Sequence, residues 1–394
     1  CSTFAHPWAR AANGRSRLTR LMQARLSGTV KGIDPAGRSS LNSVDSAFAP
    51  IPAWHELPTA WGGALSPARL RLQPEDFQVF EVPLVEPGGE GEHCWIHVRK
   101  RNSNTQWVAG QLARFADVSP SAVSYAGLKD RRAVTEQWFS VQLPGRPDPD
   151  WQSLPQEDFE VLRAVRHQRK LKTGALKGNR FRLRLHDVDA VADDVEQRLR
   201  QLACGGFPNY FGQQRFGRDA GNLVGAQALF RRPRSRLSRH KRGLYLSAVR
   251  AALFNRVLAA RVEDGSWNRA MAGDALQIEG KSACFVAEVV DEAIETRLQA
   301  LEVHPTGPLC GDGEVLARGR AAQYEAGQLQ AYGGWIDGLQ RFRLAAARRA
   351  LRVRPGDLNG RLDADGSWVL EFFLPAGCYA TSLLREVFDV DGEA

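Results

Sequence analysis

From residue 180 to residue 185 the chain reads Arg-Phe-Arg-Leu-Arg-Leu. So strict an alternation does not suit a helical turn, but it suits a strand whose side chains point by turns to opposite faces. One face, Phe181, Leu183 and Leu185, must meet a core. The other carries the guanidinium groups of Arg180, Arg182 and Arg184. This strand closes a basic tract that begins at Arg166 and includes His167, Arg169, Lys170, Lys172 and Lys177. Either it is a solvated basic strand or it is an edge that contacts phosphates, with Gly174 and Gly178 letting the backbone come close to a ligand. Asn179 lies two residues before Phe181 and so shares its face.

Other segments follow the same patterning. Residues 74–82 predict a strand after Pro74, and residues 94–99 a second one. The glycine-rich turn between them predicts a hairpin. Ser103 with Gln106 matches a capping box, opening a helix with Val108, Leu112 and Phe115 on one side. Val134 to Leu143 reads as a strand burying Phe139, Val141 and Leu143. Val191, Val195, Leu199 and Leu202 mark a helix stopped by Gly205-Gly206. Ser247 is the expected cap of a long helix carrying Val249, Leu253 and Val257. Short strands are expected around residues 275–278 and 284–289, a helix over 340–353 and a strand over 368–374. A turn through Pro375-Ala376-Gly377 should lead into a helix near Thr381.

The stretch Gly127-Leu128-Lys129-Asp130-Arg131-Arg132 places one carboxylate among three cations on a loop that feeds a strand. Neighbouring cations favour its ionised form. In a basic cleft it is able to serve as nucleophile or base on a substrate delivered by a polyanion, and a solvated ion pair is the plainer alternative.

Several motifs, in order, resemble the TruD family of tRNA pseudouridine synthases. They are Pro74-Glu75-Asp76-Phe77, Gly91-Glu92-His93, Gly127-Leu128-Lys129-Asp130-Arg131-Arg132-Ala133-Val134-Thr135, Lys177-Gly178-Asn179-Arg180-Phe181, Asn209-Tyr210-Phe211-Gly212-Gln213-Gln214-Arg215-Phe216-Gly217 and Leu374-Pro375-Ala376-Gly377. The resemblance runs from about residue 68 onward. It implies an α+β fold: a pseudouridine synthase catalytic domain with a mixed or antiparallel sheet and helices, plus an inserted α/β TRUD domain. The catalytic domain would be discontinuous, over residues 54–204 and 355–394, with the insertion at 205–354. By the same resemblance Asp130 is the catalytic residue, and Phe77, Asn179, Phe181 and Tyr379 contact substrate. Arg71 stands where the family commonly has Lys, and Tyr379 where it often has Phe. The implied reaction converts uridine-13 of tRNA to pseudouridine. The base leaves its stack, the C1′–N1 bond breaks, and the ring rotates and rejoins through C5. Two routes are open: attack of the carboxylate on C1′, or removal of a C2′ proton to give a glycal. A base-excising glycosylase and a non-catalytic RNA binder are the competing classes.

Composition narrows the field. The chain has 394 residues, a formal charge of +9 and 43% hydrophobic residues, which suits about two domains and an anionic polymer as partner. No apolar run approaches the ~20 residues a membrane span needs. The six cysteines include no C-x-x-C pair. That suggests neither a disulfide framework nor a zinc site, but reduced thiols in the cytoplasm. His93 and His97 read as strand residues rather than metal ligands. The reaction needs no cofactor and no metal, and a monomer is expected. Residues 1–53 carry six cations before the first acid, Asp34. They are expected to be a disordered extension or the result of a start assigned too far upstream.

Overall fold

The computed structural model describes residues 48–154, 158–234 and 236–390. Of the expected extension, residues 1–47 lie outside the described residues. Phe48 packs edge-on against Trp335, with ring centroids 4.9 Å apart, and the Trp335 indole donates to the Ala49 carbonyl at 2.9 Å.

Alternation governs the first part of the chain. Its strands are β1 (Ser66–Leu70), β2 (Phe77–Pro83), β3 (His93–Arg101), β4 (Val123–Tyr125), β5 (Val134–Gln142), β6 (Phe159–His167) and β7 (Leu176–His186). Helix α1 (Thr105–Phe115) buries Val108 and Leu112, and helix α2 (Ala192–Gly205) buries Val195, Leu199 and Leu202. The middle of the chain adds β8 (Phe207–Pro208), α3 (Gly221–Arg231), α4 (Arg239–Glu263), β9 (Asp274–Ile278), β10 (Cys284–Ala287), α5 (Glu292–Gln299) and β11 (Val303–Leu309). It continues with α6 (Gly319–Leu329), α7 (Gly333–Gln340), β12 (Ala347–Ala350) and β13 (Arg352–Val353). The chain then returns through β14 (Gly356–Leu362), β15 (Trp368–Pro375), α8 (Ala380–Leu384) and β16 (Phe388–Val390).

Strands from both ends of the described chain share one ten-stranded sheet, whose main path is β14-β15-β7-β2-β5-β3-β6. It is mixed: β2 pairs parallel with β5 and β1 with β16, while the other pairings are antiparallel. A separate antiparallel sheet, β10-β9-β11-β12, belongs to the middle segment. The architecture is α+β, as expected. One face of the large sheet buries Phe77, Val79, Phe181, Leu183, Leu370 and Phe372 with residues of α2 and α8. A second core lies between α1 and strands β3 and β5.

Five expectations are corrected. β2 and β3 do not form a hairpin, because β5 comes from later in the chain and inserts between them. Asn104, not Ser103, caps α1, its side chain accepting from the Gln106 amide at 2.8 Å. Helix α4 starts well before Ser247: Ser238 caps it, and the Ser247 hydroxyl instead accepts from Arg215 at 3.1 Å. The helix expected over residues 340–353 is absent: α7 ends at Gln340 and residues 341–353 do not continue it. Their Ala- and Arg-rich sequence favours one, but β12 pairs with β11 and β13 with β8, so tertiary pairing overrides propensity. Finally, β7 is not an edge strand. It lies between β2 and β15, and its guanidinium row meets acids: Arg180 meets Asp357 (2.9 Å), Arg182 meets Glu371 (3.4 Å) and Arg184 meets Asp363 (2.6 Å) and Asp365 (3.1 Å).

Candidate active site

The loop between β4 and β5 is held rigidly by groups the sequence reading passed over. Lys100 is fully buried, and its ammonium donates to the Ser103 carbonyl at 2.7 Å and the Asp130 carbonyl at 2.8 Å. Burial pushes its pKa down to about 8, against the opposing pull of the Asp130 charge. Thr105 Oγ1 accepts from the Lys129 amide at 3.1 Å and donates to Gln137, whose own amide donates to the Gly127 carbonyl at 3.3 Å. Lys129 ion-pairs with the buried Glu81, and Glu81 also accepts from the Trp138 amide at 3.2 Å. Phase along the strands was the available signal. Cys94, Ile96, Val98 and Lys100 share one side of β3, and Phe77, Val79 and Glu81 one side of β2, so each charge sits at a core position.

Held in this way, the Asp130 carboxylate faces Arg71. Arg71 Nη2 lies 2.5 Å from Asp130 Oδ2, and Asp130 Oδ1 accepts from the Arg132 amide at 3.1 Å. The Arg71 guanidinium lies 4.2 Å above the centre of the Phe77 ring. Arg71 itself has φ of +66°, a left-handed conformation that L residues adopt at a cost of roughly 1–2 kcal/mol. That kink turns its side chain off the end of β1 toward the loop. Strain of this kind is common where a side chain is aimed for function.

The sheet adds the remaining groups. The Phe77 and Phe181 rings meet edge to face at 6.3 Å, and Phe181 stacks on Phe372 at 5.3 Å. Phe181 is only 9% exposed and Phe77 5%, so both also belong to the core. Asn179 faces Glu81 across the β2–β7 register. Its Oδ1 is buried and accepts no hydrogen bond among the described residues. Asp130 therefore has two flanks, one through Arg71 to Phe77 and Phe181, the other through Lys129 and Glu81 to Asn179.

Tyr379 is held by a second set of partners. Its hydroxyl accepts from Arg215 Nε at 2.9 Å, and its ring meets Phe211 at 6.0 Å. Arg349, unnoticed in the sequence, braces the turn before it. Its guanidinium donates to Asn209 Oδ1 at 2.5 Å and to the Gly377 carbonyl at 3.0 Å, over the Phe211 ring at 4.0 Å. A cavity of about 400 Å³ lined by Asp76, His186, Arg182 and Arg184 opens on the opposite, arginine-bearing face of the sheet, away from Asp130.

Comparison with known proteins identifies the family. The family model described as tRNA pseudouridine synthase D (TruD) matches residues 64–235 and 222–387. The chain belongs to the TruD family. TruD relatives include a tRNA pseudouridine synthase D of Methylococcus capsulatus, 49% identical over 340 residues, covering 86% of this chain and 96% of the relative. Another, from Xanthomonas euvesicatoria pv. vesicatoria, is 45% identical over 349 residues, covering 85% and 95%. A solved structure from Methanosarcina mazei, described as a tRNA pseudouridine synthase D (TruD), superposes with a TM-score of 0.62. It is 24% identical and covers 87% of this chain and 96% of that one, a likeness of fold.

Proposed function

We propose that this TruD-family chain converts uridine-13 of tRNA to pseudouridine in the cytoplasm, acting as a monomer without a cofactor, with Asp130 at the ribose. The observation that carries the reading is the Asp130 carboxylate, fixed by Arg71 and the Arg132 amide on a braced loop. A buried network that positions one carboxylate is what a single-acid mechanism requires, since misplacement by about 1 Å costs ~100-fold in rate. The flipped base supplies an N3–H donor, and the unmatched Asn179 Oδ1 supplies a buried acceptor. Phe77 and Phe181 line the place of the uracil, and Arg71 holds the carboxylate beside the sugar. Tyr379, held by Arg215, contacts the substrate from the turn after β15. Residues 54–204 and 355–394 form the catalytic domain, and residues 205–354 the inserted one.

Two routes begin at the same oxygen. Attack on C1′ leaves the C2′ hydrogen in place, whereas glycal formation removes it, so deuterium at C2′ slows only the second. In both routes uracil departs and rotates; in the first its C5 then displaces the carboxylate from C1′, in the second the C2′ proton returns from Asp130 as C5 bonds to C1′, and in both C5 finally loses its proton while N1 gains one. The product is an isomer with the mass of uridine. A glycosylase would instead release the base, and a non-catalytic binder would leave the RNA unchanged.

The test is Asp130→Asn with unmodified tRNA and carbodiimide-blocked reverse transcription. The expected result is no stop at position 13, with tRNA affinity within a few-fold of the unaltered chain. A persisting pseudouridine stop in the variant refutes the assignment.

A further inference from the structure

The run from Arg231 to Arg242 reads Arg-Arg-Pro-Arg-Ser-Arg-Leu-Ser-Arg-His-Lys-Arg, with no acid in it. Per residue it is denser in cations than the tract ending in β7. Arg232, Arg234, Arg236, Arg239, Lys241 and Arg242 are all exposed. None of these six forms an ion pair with a carboxylate among the described residues, unlike the β7 arginines.

The run is nevertheless anchored. Leu237 packs against the core shared by α3, α4 and α7, and Ser238 caps α4 through the Lys241 amide at 3.2 Å. Arg239, Lys241 and Arg242 therefore sit in the first turn of a 25-residue helix that has no acidic residue there. The positive end of the helix dipole disfavours cations at that position by ~0.3–1 kcal/mol each. Mutual repulsion adds to this within a Debye length of about 8 Å. No carboxylate among the described residues offsets either cost, and Lys241 has only the Tyr245 ring, 6.0 Å away, so the run suits a polyanion supplied from outside. Five of the six are arginines, whose planar fork suits phosphate oxygens.

We infer that this run is a phosphate-contacting surface for the body of the tRNA, separate from the groups that handle the reactive nucleotide. The inference rests on the proposed function for the identity of the RNA, though not for its charge. It moves the phosphate contact from the β7 arginines, which acids neutralise, to the α3–α4 connection, which none does.

The test is the full chain carrying Arg234→Gln, Arg236→Gln, Arg239→Gln and Lys241→Gln together. tRNA binding is measured across a sodium chloride series, and pseudouridine formation at varied tRNA concentration. Each lost phosphate contact lowers the slope of log affinity against log salt by about 0.7–0.9, so the slope should fall by roughly 2 to 4. The loss in kcat/KM should appear in KM, tenfold or more, and the melting temperature should hold or rise as the helix start is relieved of charge. A companion in which the three arginines become lysine should keep most of the slope. An unchanged salt slope in the Gln variant overturns the inference. If the unaltered chain makes no pseudouridine yet the slope falls, the proposed function fails and the phosphate surface stands.

Discussion

At the scale of single residues, the candidate site is braced by buried charges around the Asp130 loop. Lys100 spends its ammonium on two carbonyls, one of them that of Asp130. Lys100→Met removes both bonds and leaves the carboxylate chemically intact but loosely aimed. Activity per folded molecule should drop at least tenfold, equivalent to ~1.4 kcal/mol in the barrier, mostly in kcat. Unchanged kcat with a lowered melting temperature would make Lys100 a fold residue only. The carboxylate itself was legible in the sequence, because an acid among three cations beside a strand is conspicuous. Lys100 and Glu81 were written there too, as charges on the apolar phase of β3 and β2, but their partners are far away in sequence. No local pattern names Ser103 or Trp138 as the groups that satisfy them.

At the scale of elements, strand patterning was a good guide wherever a strand's own side chains decide its state. β5, β7, β9 and β15 fall where alternation puts them, and α2 stops at its glycines. It failed where pairing decides. β12 and β13 run through a helix-favouring sequence, yet Arg352 lies buried against His304 Nδ1 at 3.0 Å and the carbonyls of Leu298 and Val303. That hydrogen-bonding demand is invisible in the sequence. The guanidinium row of β7 is a similar case, since its acids come from β14, β15 and the turn between them. Arg182→Gln breaks only a half-exposed pair at 3.4 Å, worth ~0–1 kcal/mol. It should leave the salt slope of tRNA binding within experimental scatter of the unaltered chain. A fall approaching one unit in that slope would return β7 to the RNA interface.

At the scale of the whole molecule, the C-terminal strands and the segment near Ala60 are joined by a buried carboxylate. Glu386 is fully buried and accepts from the Ala60 amide at 2.9 Å and the Trp61 amide at 3.1 Å. Burial raises its pKa to about 7, outweighing those hydrogen bonds and the nearby Arg385 and Arg198. The folded chain thus holds a proton between about pH 4.5 and pH 7 that the unfolded chain has released, and stability falls as pH rises through that window. Glu386→Gln cannot titrate, so its melting temperature should gain on that of the unaltered chain from about pH 5 to pH 7. Parallel curves would show that this carboxylate stays charged. The sheet order has a further consequence for biosynthesis. β7 leaves the ribosome with its β15 edge bare, and Phe181 waits for Phe372 until the entire middle segment has been translated. A half-made chain thus carries an incomplete sheet with an open apolar edge, and the core around Phe181 closes only when the final strands arrive.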